Sequence, residues 1–247
     1  MTVQKDTEAP PDAGKWLDHL DDATALAVML DDQAEATTAI RQSLGQIEMA
    51  AAAITKRMAE DDTARIIYAG AGASIRIAVQ DGVELLPTFN WPRDRVAYLV
   101  AGGTKALIES VEDAEDDEAA ARRMVDDLTL SANDVVIAIA ASGRTSFTCT
   151  VLSEAIKSGA FAIGLANNPD TPLLNEADIG IPLITGGEAL AGSTRLKAAT
   201  AQKICLNMIS TLVMTRLGRV RDGKMIAMRP TNAKLRERFS RIHGADS

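Results

Sequence analysis

Two short stretches combine glycine with hydroxyl side chains in a way that suits an anion. Gly70, Ala71, Gly72, Ala73 and Ser74 follow an apolar run and precede a helix-forming stretch. In that position Gly72 and Ser74 would bring backbone N–H groups and a hydroxyl to a helix N-terminus. Ser142, Gly143, Arg144 and Thr145 follow another apolar run and add two hydroxyls, a glycine and a guanidinium at consecutive positions. A phosphate is the natural guest of such loops, although the same residues would also serve as ordinary caps and turns. A third patch, Ser193, Thr194, Arg195 and Lys197, opens the last helical stretch. Cations at a helix N-terminus oppose its dipole, which favours an anionic partner over idle solvation.

Two carboxylates could move protons beside these loops. Glu84 lies near the end of the helix that starts at the first Gly-rich loop, where Pro87 is expected to stop it. Its apolar neighbours make it a candidate proton donor. Glu115 belongs to the acidic run 112–118, beyond the second apolar run. Acids in such runs are commonly solvated first-turn residues, so spacing alone assigns Glu115 no role.

Several other chemistries are excluded. A dinucleotide fingerprint would need glycine where Ile75 stands, and an acid near the end of the second strand, where the chain has Gly102 and Gly103. No nucleoside-triphosphate P-loop pattern occurs. His19 and His243 stand near the two ends of the chain, away from every loop described, which argues against a histidine metal site or a Ser/His triad. Cys149 and Cys205 fall inside apolar-periodic stretches and read as two buried thiols, so no metal site or disulfide framework is expected.

The elements that must hold these residues follow from hydrophobic pattern. Apolar runs at 65–69, 96–100, 135–139, 161–165 and 179–181 are separated by helix-length stretches. Runs without alternation suit strands covered on both faces, and five of them with helical crossovers predict an open parallel sheet in an α/β fold. Helices are expected over 23–30 and 33–59 ahead of the first strand and over 190–217 at the end, with Gly218 as its C′ residue. In that last helix Leu196, Ile204, Met208, Ile209 and Leu212 would form the apolar side. Residues 1–14 read as a flexible leader and 15–247 as one domain. The 247 residues, 47% of them apolar, suffice for a sizeable core. A formal charge of −8 with no basic stripe argues against nucleic acid as a partner. With no signal-peptide pattern and no run of membrane-spanning length, the expected address is the cytoplasm.

Taken together, the stretches 70–74, Glu84 with Pro87, Thr88 and Phe89, and then 101–103, 111–116, 139–145, 192–198, 200–203 and 229–235 closely resemble the N-acetylmuramic acid 6-phosphate etherases. The order matches from near residue 20 to near residue 240. Those enzymes belong to the sugar isomerase (SIS) superfamily, which also contains the glucokinase regulatory protein. The resemblance implies a five-stranded parallel α/β/α sandwich and a cofactor-free lyase. Such a lyase removes D-lactate from the C3 ether of a sugar 6-phosphate in cell-wall recycling. It assigns Glu84 and Glu115 as the catalytic pair, places Ser74, Ser142, Gly143 and Thr145 on the phosphate, and puts Ser193, Arg195 and Lys197 near the substrate. It also implies a homodimer with residues from both subunits near each site.

The chain departs from the family pattern in three places. Ala73, Ser74 and Ile75 replace the usual Thr-Ser-Gly, which predicts a reshaped sugar pocket. Leu85 and Leu86 stand where Cys-Pro commonly follows the glutamate, and Ala191 precedes Gly192 where Thr-Gly is usual. The small helical C-terminal domain usual in the family is expected to be absent. A non-catalytic sugar-phosphate sensor and an aldose-ketose isomerase are the alternatives in other classes.

Overall fold

The computed structural model describes residues 7–227. Five parallel strands, β1 (Ile66–Gly70), β2 (Val96–Val100), β3 (Val135–Ile139), β4 (Phe161–Ala166) and β5 (Ile179–Pro182), form one sheet in the order β2-β1-β3-β4-β5. The apolar runs of the sequence coincide with these strands to within a residue or so at each end. Both faces of the central strands are buried, so alternate side chains of one strand feed two cores. Ile66 and Tyr68 point into one core, and Ile67 and Ala69 into the other.

The first core is covered by α1 (Asp22–Gln42), α2 (Leu44–Glu60), α3 (Gly72–Phe89) and α7 (Lys197–Arg216), with α7 packed on the other three. The second lies under α4 (Glu118–Leu128), α5 (Ser146–Lys157) and α6 (Pro172–Glu176). Ligands in open α/β sheets bind where strand order reverses, outside the carboxyl ends of the strands. Here the reversal falls between β1 and β3, the two strands that lead into the Gly70 and Ser142 loops.

Three helix boundaries differ from the sequence reading. The first helical stretch breaks at Ser43 instead of at the Asp31, Asp32 pair, and the Ser43 hydroxyl donates to the carbonyl of Pro182, the last residue of β5. Pro87 sits inside α3 without ending it; the helix closes at Asn90, which is left-handed at φ 51° and donates its N–H to the Leu86 carbonyl. The last helix begins at Lys197 instead of near residue 190, and Gly218 follows it at φ 74°. On α7, Ile209 is buried as expected, but Ile204, Met208 and Leu212 are only partly covered and line an apolar groove with Ile47. Among the cysteines Cys205 is buried, whereas Cys149 is only partly so; both are free thiols.

Candidate active site

The first strand ends at Gly70, where any Cβ would lie 2.7 Å from the Ile139 carbonyl oxygen of the neighbouring strand. Glycine thus lets β1 and β3 stay paired up to the mouth of the site. The chain turns into α3 at Gly72, whose φ of 54° favours glycine, and Ala71 at the N-cap offers no side-chain hydrogen bond. Ser74 in the first turn is nearly buried. After β3 the same construction recurs. Thr145 occupies the N-cap of α5 without a side-chain cap bond, Gly143 turns at φ 65°, and the Ser142 hydroxyl accepts from the Arg144 N–H at 3.2 Å. Cys149, one turn into α5, supports the loop from below by donating its thiol to the Gly143 carbonyl at 3.7 Å. Burial, with Glu176 nearby, pushes that thiol up to about 11, so it stays protonated at neutral pH.

Two helices therefore point uncapped N-termini at one place. Each leaves its first N–H groups without an intrahelical acceptor and carries a partial positive charge there. Between them lies a cavity of about 370 Å³, lined among others by Gly72, Ser74, Ser142, Arg144, Thr145 and Glu115. The Arg144 guanidinium donates to the Asp170 carbonyl at 3.1 Å, which fixes the side chain at the cavity's edge. Gly143 admits no side chain: a Cβ would collide with the Thr171 side chain, besides the left-handed strain. Gly143→Ala is accordingly expected to weaken binding of inorganic phosphate in the cavity about tenfold or more and to lower the melting temperature, checked by titration calorimetry and thermal melting.

Glu115 arrives from a different element. Asp113, left-handed at φ 59°, starts a single 3₁₀ turn over Ala114–Asp116 ahead of α4. The Asp116 carboxylate accepts from the Ser146 hydroxyl at 3.4 Å, which ties this turn to the first residue of α5. The N-terminus of α4 is separately satisfied by Asp117, so Glu115 is not its cap and lines the cavity instead.

Other sequence candidates lie elsewhere. Glu84 is exposed on α3 instead of buried among apolar neighbours, and does not line the cavity. At 1.5 Å per residue it stands about 15 Å along the helix from Ser74. It is flanked by Val83, Leu86 and Pro87, which line a separate, mostly apolar groove of about 720 Å³ beside the edge strand β2. Lys197 is buried and its ammonium is held 2.6 Å from Asp32 of α1, away from the cavity. The N-terminus of α7 is already supplied with an anion. Glu188, raised from the ordinary carboxylate value by burial, accepts from the N–H groups of Lys197 and Ala198 at 3.0 and 3.1 Å. Of the third patch, Arg195 is exposed and neither it nor Ser193 lines the cavity; Gly192 and Thr194 do. Ile75 points into the core, fully buried, so its bulk does not narrow the cavity, against the expectation of a reshaped pocket. The stretch 229–235 and His243 lie outside the described residues.

Missed from sequence were Thr7, Glu8 and Asp116, which also line the cavity. The one signal for Thr7 is Asn168, its partner, which follows β4 just where a ligand loop belongs.

The strand order and the position of the cavity define an SIS-type α/β domain. A family model for the glucokinase regulatory protein N-terminal SIS domain matches residues 47–156. A phosphoheptose isomerase from Francisella tularensis has the same fold, with a TM-score of 0.60 at 16% identity over 79% of this chain and 100% of its own. The particular relationship is closer. A protein of Deinococcus radiodurans named N-acetylmuramic acid 6-phosphate etherase is 43% identical over 242 residues, 98% of this chain and 79% of the relative. One of that name from Streptomyces coelicolor is 42% identical over 226 residues, 92% of this chain and 72% of the relative. The chain belongs to the N-acetylmuramic acid 6-phosphate etherase family.

Proposed function

We propose that the protein is a carbon–oxygen lyase that cleaves the D-lactyl ether of N-acetylmuramic acid 6-phosphate, giving N-acetylglucosamine 6-phosphate and D-lactate. The observation that carries this reading is the cavity between two uncapped helix N-termini, lined by Ser74, Ser142, Thr145 and Arg144 and bordered by the carboxylate of Glu115. The phosphate takes the N–H and hydroxyl end. The open-chain sugar extends toward Glu115.

The reaction is a proton exchange around one C–O bond. A carboxylate removes the C2 proton, acidified by the C1 aldehyde, while the C2=C3 double bond forms and the C3–O bond breaks. A protonated carboxyl supplies the proton to the departing lactate oxygen. Water then adds across the double bond, placing hydroxyl on C3 and a proton on C2. Glu84 and Glu115 share the two proton-transfer roles.

Because Glu84 is about 15 Å from the cavity of its own chain, it reaches a site only when a second copy brings it there. The protein is therefore a homodimer in this reading, with the apolar groove beside Glu84 supporting an interface at that end of α3. No helix among the described residues is long and apolar enough to cross a membrane, which accords with a cytoplasmic role in cell-wall recycling.

Incubation with N-acetylmuramic acid 6-phosphate in D₂O tests the proposal. D-lactate release with deuterium at C2 of the product is the expected result. The position of Glu84 outside the cavity also favours a second reading, a non-catalytic sugar-phosphate sensor. Binding of the sugar phosphate without lactate release would establish that one and sink the lyase.

A further inference from the structure

Residues 7–9 belong to the polar stretch whose composition reads as a flexible leader, yet they are built into the wall of the cavity. Thr7 is only 1% exposed. Its N–H donates to the Asn168 side-chain oxygen at 2.9 Å, and the Asn168 amide donates back to the Thr7 hydroxyl at 2.9 Å. The same amide also donates to the carbonyl of Ala141, next to Ser142, at 3.2 Å. One side chain thus clamps the N-terminal segment to the loop that leaves β3.

On the far side the segment lies against the loop before α7. The Ala9 carbonyl sits so close to Gly187 that a Cβ there would collide with it, and a Cβ on Gly192 would lie 3.1 Å from the Glu8 carboxylate. Residues 7–9 therefore bridge two loops on either side of the cavity, and both Thr7 and Glu8 line it.

The charge of Glu8 decides what it can do there. A carboxylate repels a phosphate, so Glu8 is not itself a phosphate ligand; its carboxylate lies toward Gly192, in the loop before α7. It is an acceptor, and its complement is a neutral O–H or N–H donor. We propose that Glu8, held by the Thr7 and Asn168 clamp, is a specificity-determining residue that accepts a hydrogen bond from a hydroxyl or acylamino N–H on the carbon skeleton of a bound sugar phosphate. The cavity then reads the sugar separately from its phosphate. This rests on the reading of the cavity as a sugar-phosphate site.

Titration calorimetry on the full chain with two probes, inorganic phosphate and N-acetylglucosamine 6-phosphate, tests it. Glu8→Ala is expected to weaken the sugar phosphate about tenfold or more while leaving inorganic phosphate within about twofold. Glu8→Gln, which keeps an acceptor oxygen, recovers part of that loss. Asn168→Ala, which releases the clamp, reproduces the Glu8→Ala pattern. Ser142→Ala weakens both probes. If Glu8→Ala changes neither probe, or both equally, while Ser142→Ala weakens both, the proposal for Glu8 is overturned and the phosphate site stands. If Ser142→Ala changes neither, the site reading fails and takes the role of Glu8 with it.

Discussion

Glu84→Gln and Glu115→Gln are each expected to lower kcat for lactate release about 10³-fold, yet a mixture of the two variants co-expressed in one cell should regain about a quarter of wild-type activity. The recovery follows from geometry. Glu115 lines the cavity of its own chain, whereas Glu84 projects from the exposed side of α3, about 15 Å away along the helix. If a dimer completes each site with the partner's α3, a mixed dimer carries both substitutions in one site and neither in the other. Random pairing makes half the dimers mixed, each with one intact site of two. Were both glutamates to act within one chain, no intact site would form and the mixture would stay as inactive as either variant. Size-exclusion chromatography of each variant separates loss of chemistry from loss of assembly.

The parts of this arrangement that the sequence announces are those governed by local pattern. The five apolar runs become strands because residues such as Ile67, Val136 and Ile163 are covered from both sides, so no polar alternation interrupts them. Loops that follow strands at a switch point are equally legible. Gly72, Ser74, Ser142 and Thr145 meet at one cavity because topology leaves β1 and β3 adjacent.

What is not legible depends on partners far away in the chain. Lys197 reads as a cation near the substrate until Asp32, 165 residues earlier, is seen to hold it. Residues 190–196 read as helix until Glu188 folds back to cap α7 at Lys197. Ile75 reads as an intrusion into the pocket, but its place on α3 turns it to the core. Thr7 reads as solvated because Asn168, 161 residues later, is what buries it. In each case a tertiary contact overrides a sound local expectation.

At the other end of the sheet, Asp134→Ala is expected to cost about 3–5 kcal/mol of stability, a fall in melting temperature of about 10 °C, with little loss of specific activity at low temperature. Asp134 immediately precedes β3 and is buried. Its carboxylate accepts from the Arg65 N–H and guanidinium at 2.9, 3.1 and 2.6 Å and from the Ser131 N–H at 2.8 Å. Truncation leaves a partly buried guanidinium and two backbone donors without that partner, although Arg65 keeps its bonds to the carbonyls of Leu128 and Thr129. The active site begins at the far end of the same strand, about 16 Å away at roughly 3.3 Å per residue, so the chemistry is spared. The pH dependence has a definite sign. Burial raises the Asp134 carboxyl, but the bonds from Arg65 and Ser131 outweigh it and hold the group below the usual carboxylate value. A lowered folded-state value means the stabilisation is complete above the unfolded value of about 3.9 and is lost as pH falls through the folded one. The gap in melting temperature between wild type and Asp134→Asn, which cannot titrate, should therefore be constant from neutral pH down to about 5 and close below about 4. A gap that persists unchanged to pH 3 would show that the ion pair is not what holds the ends of β1 and β3 together.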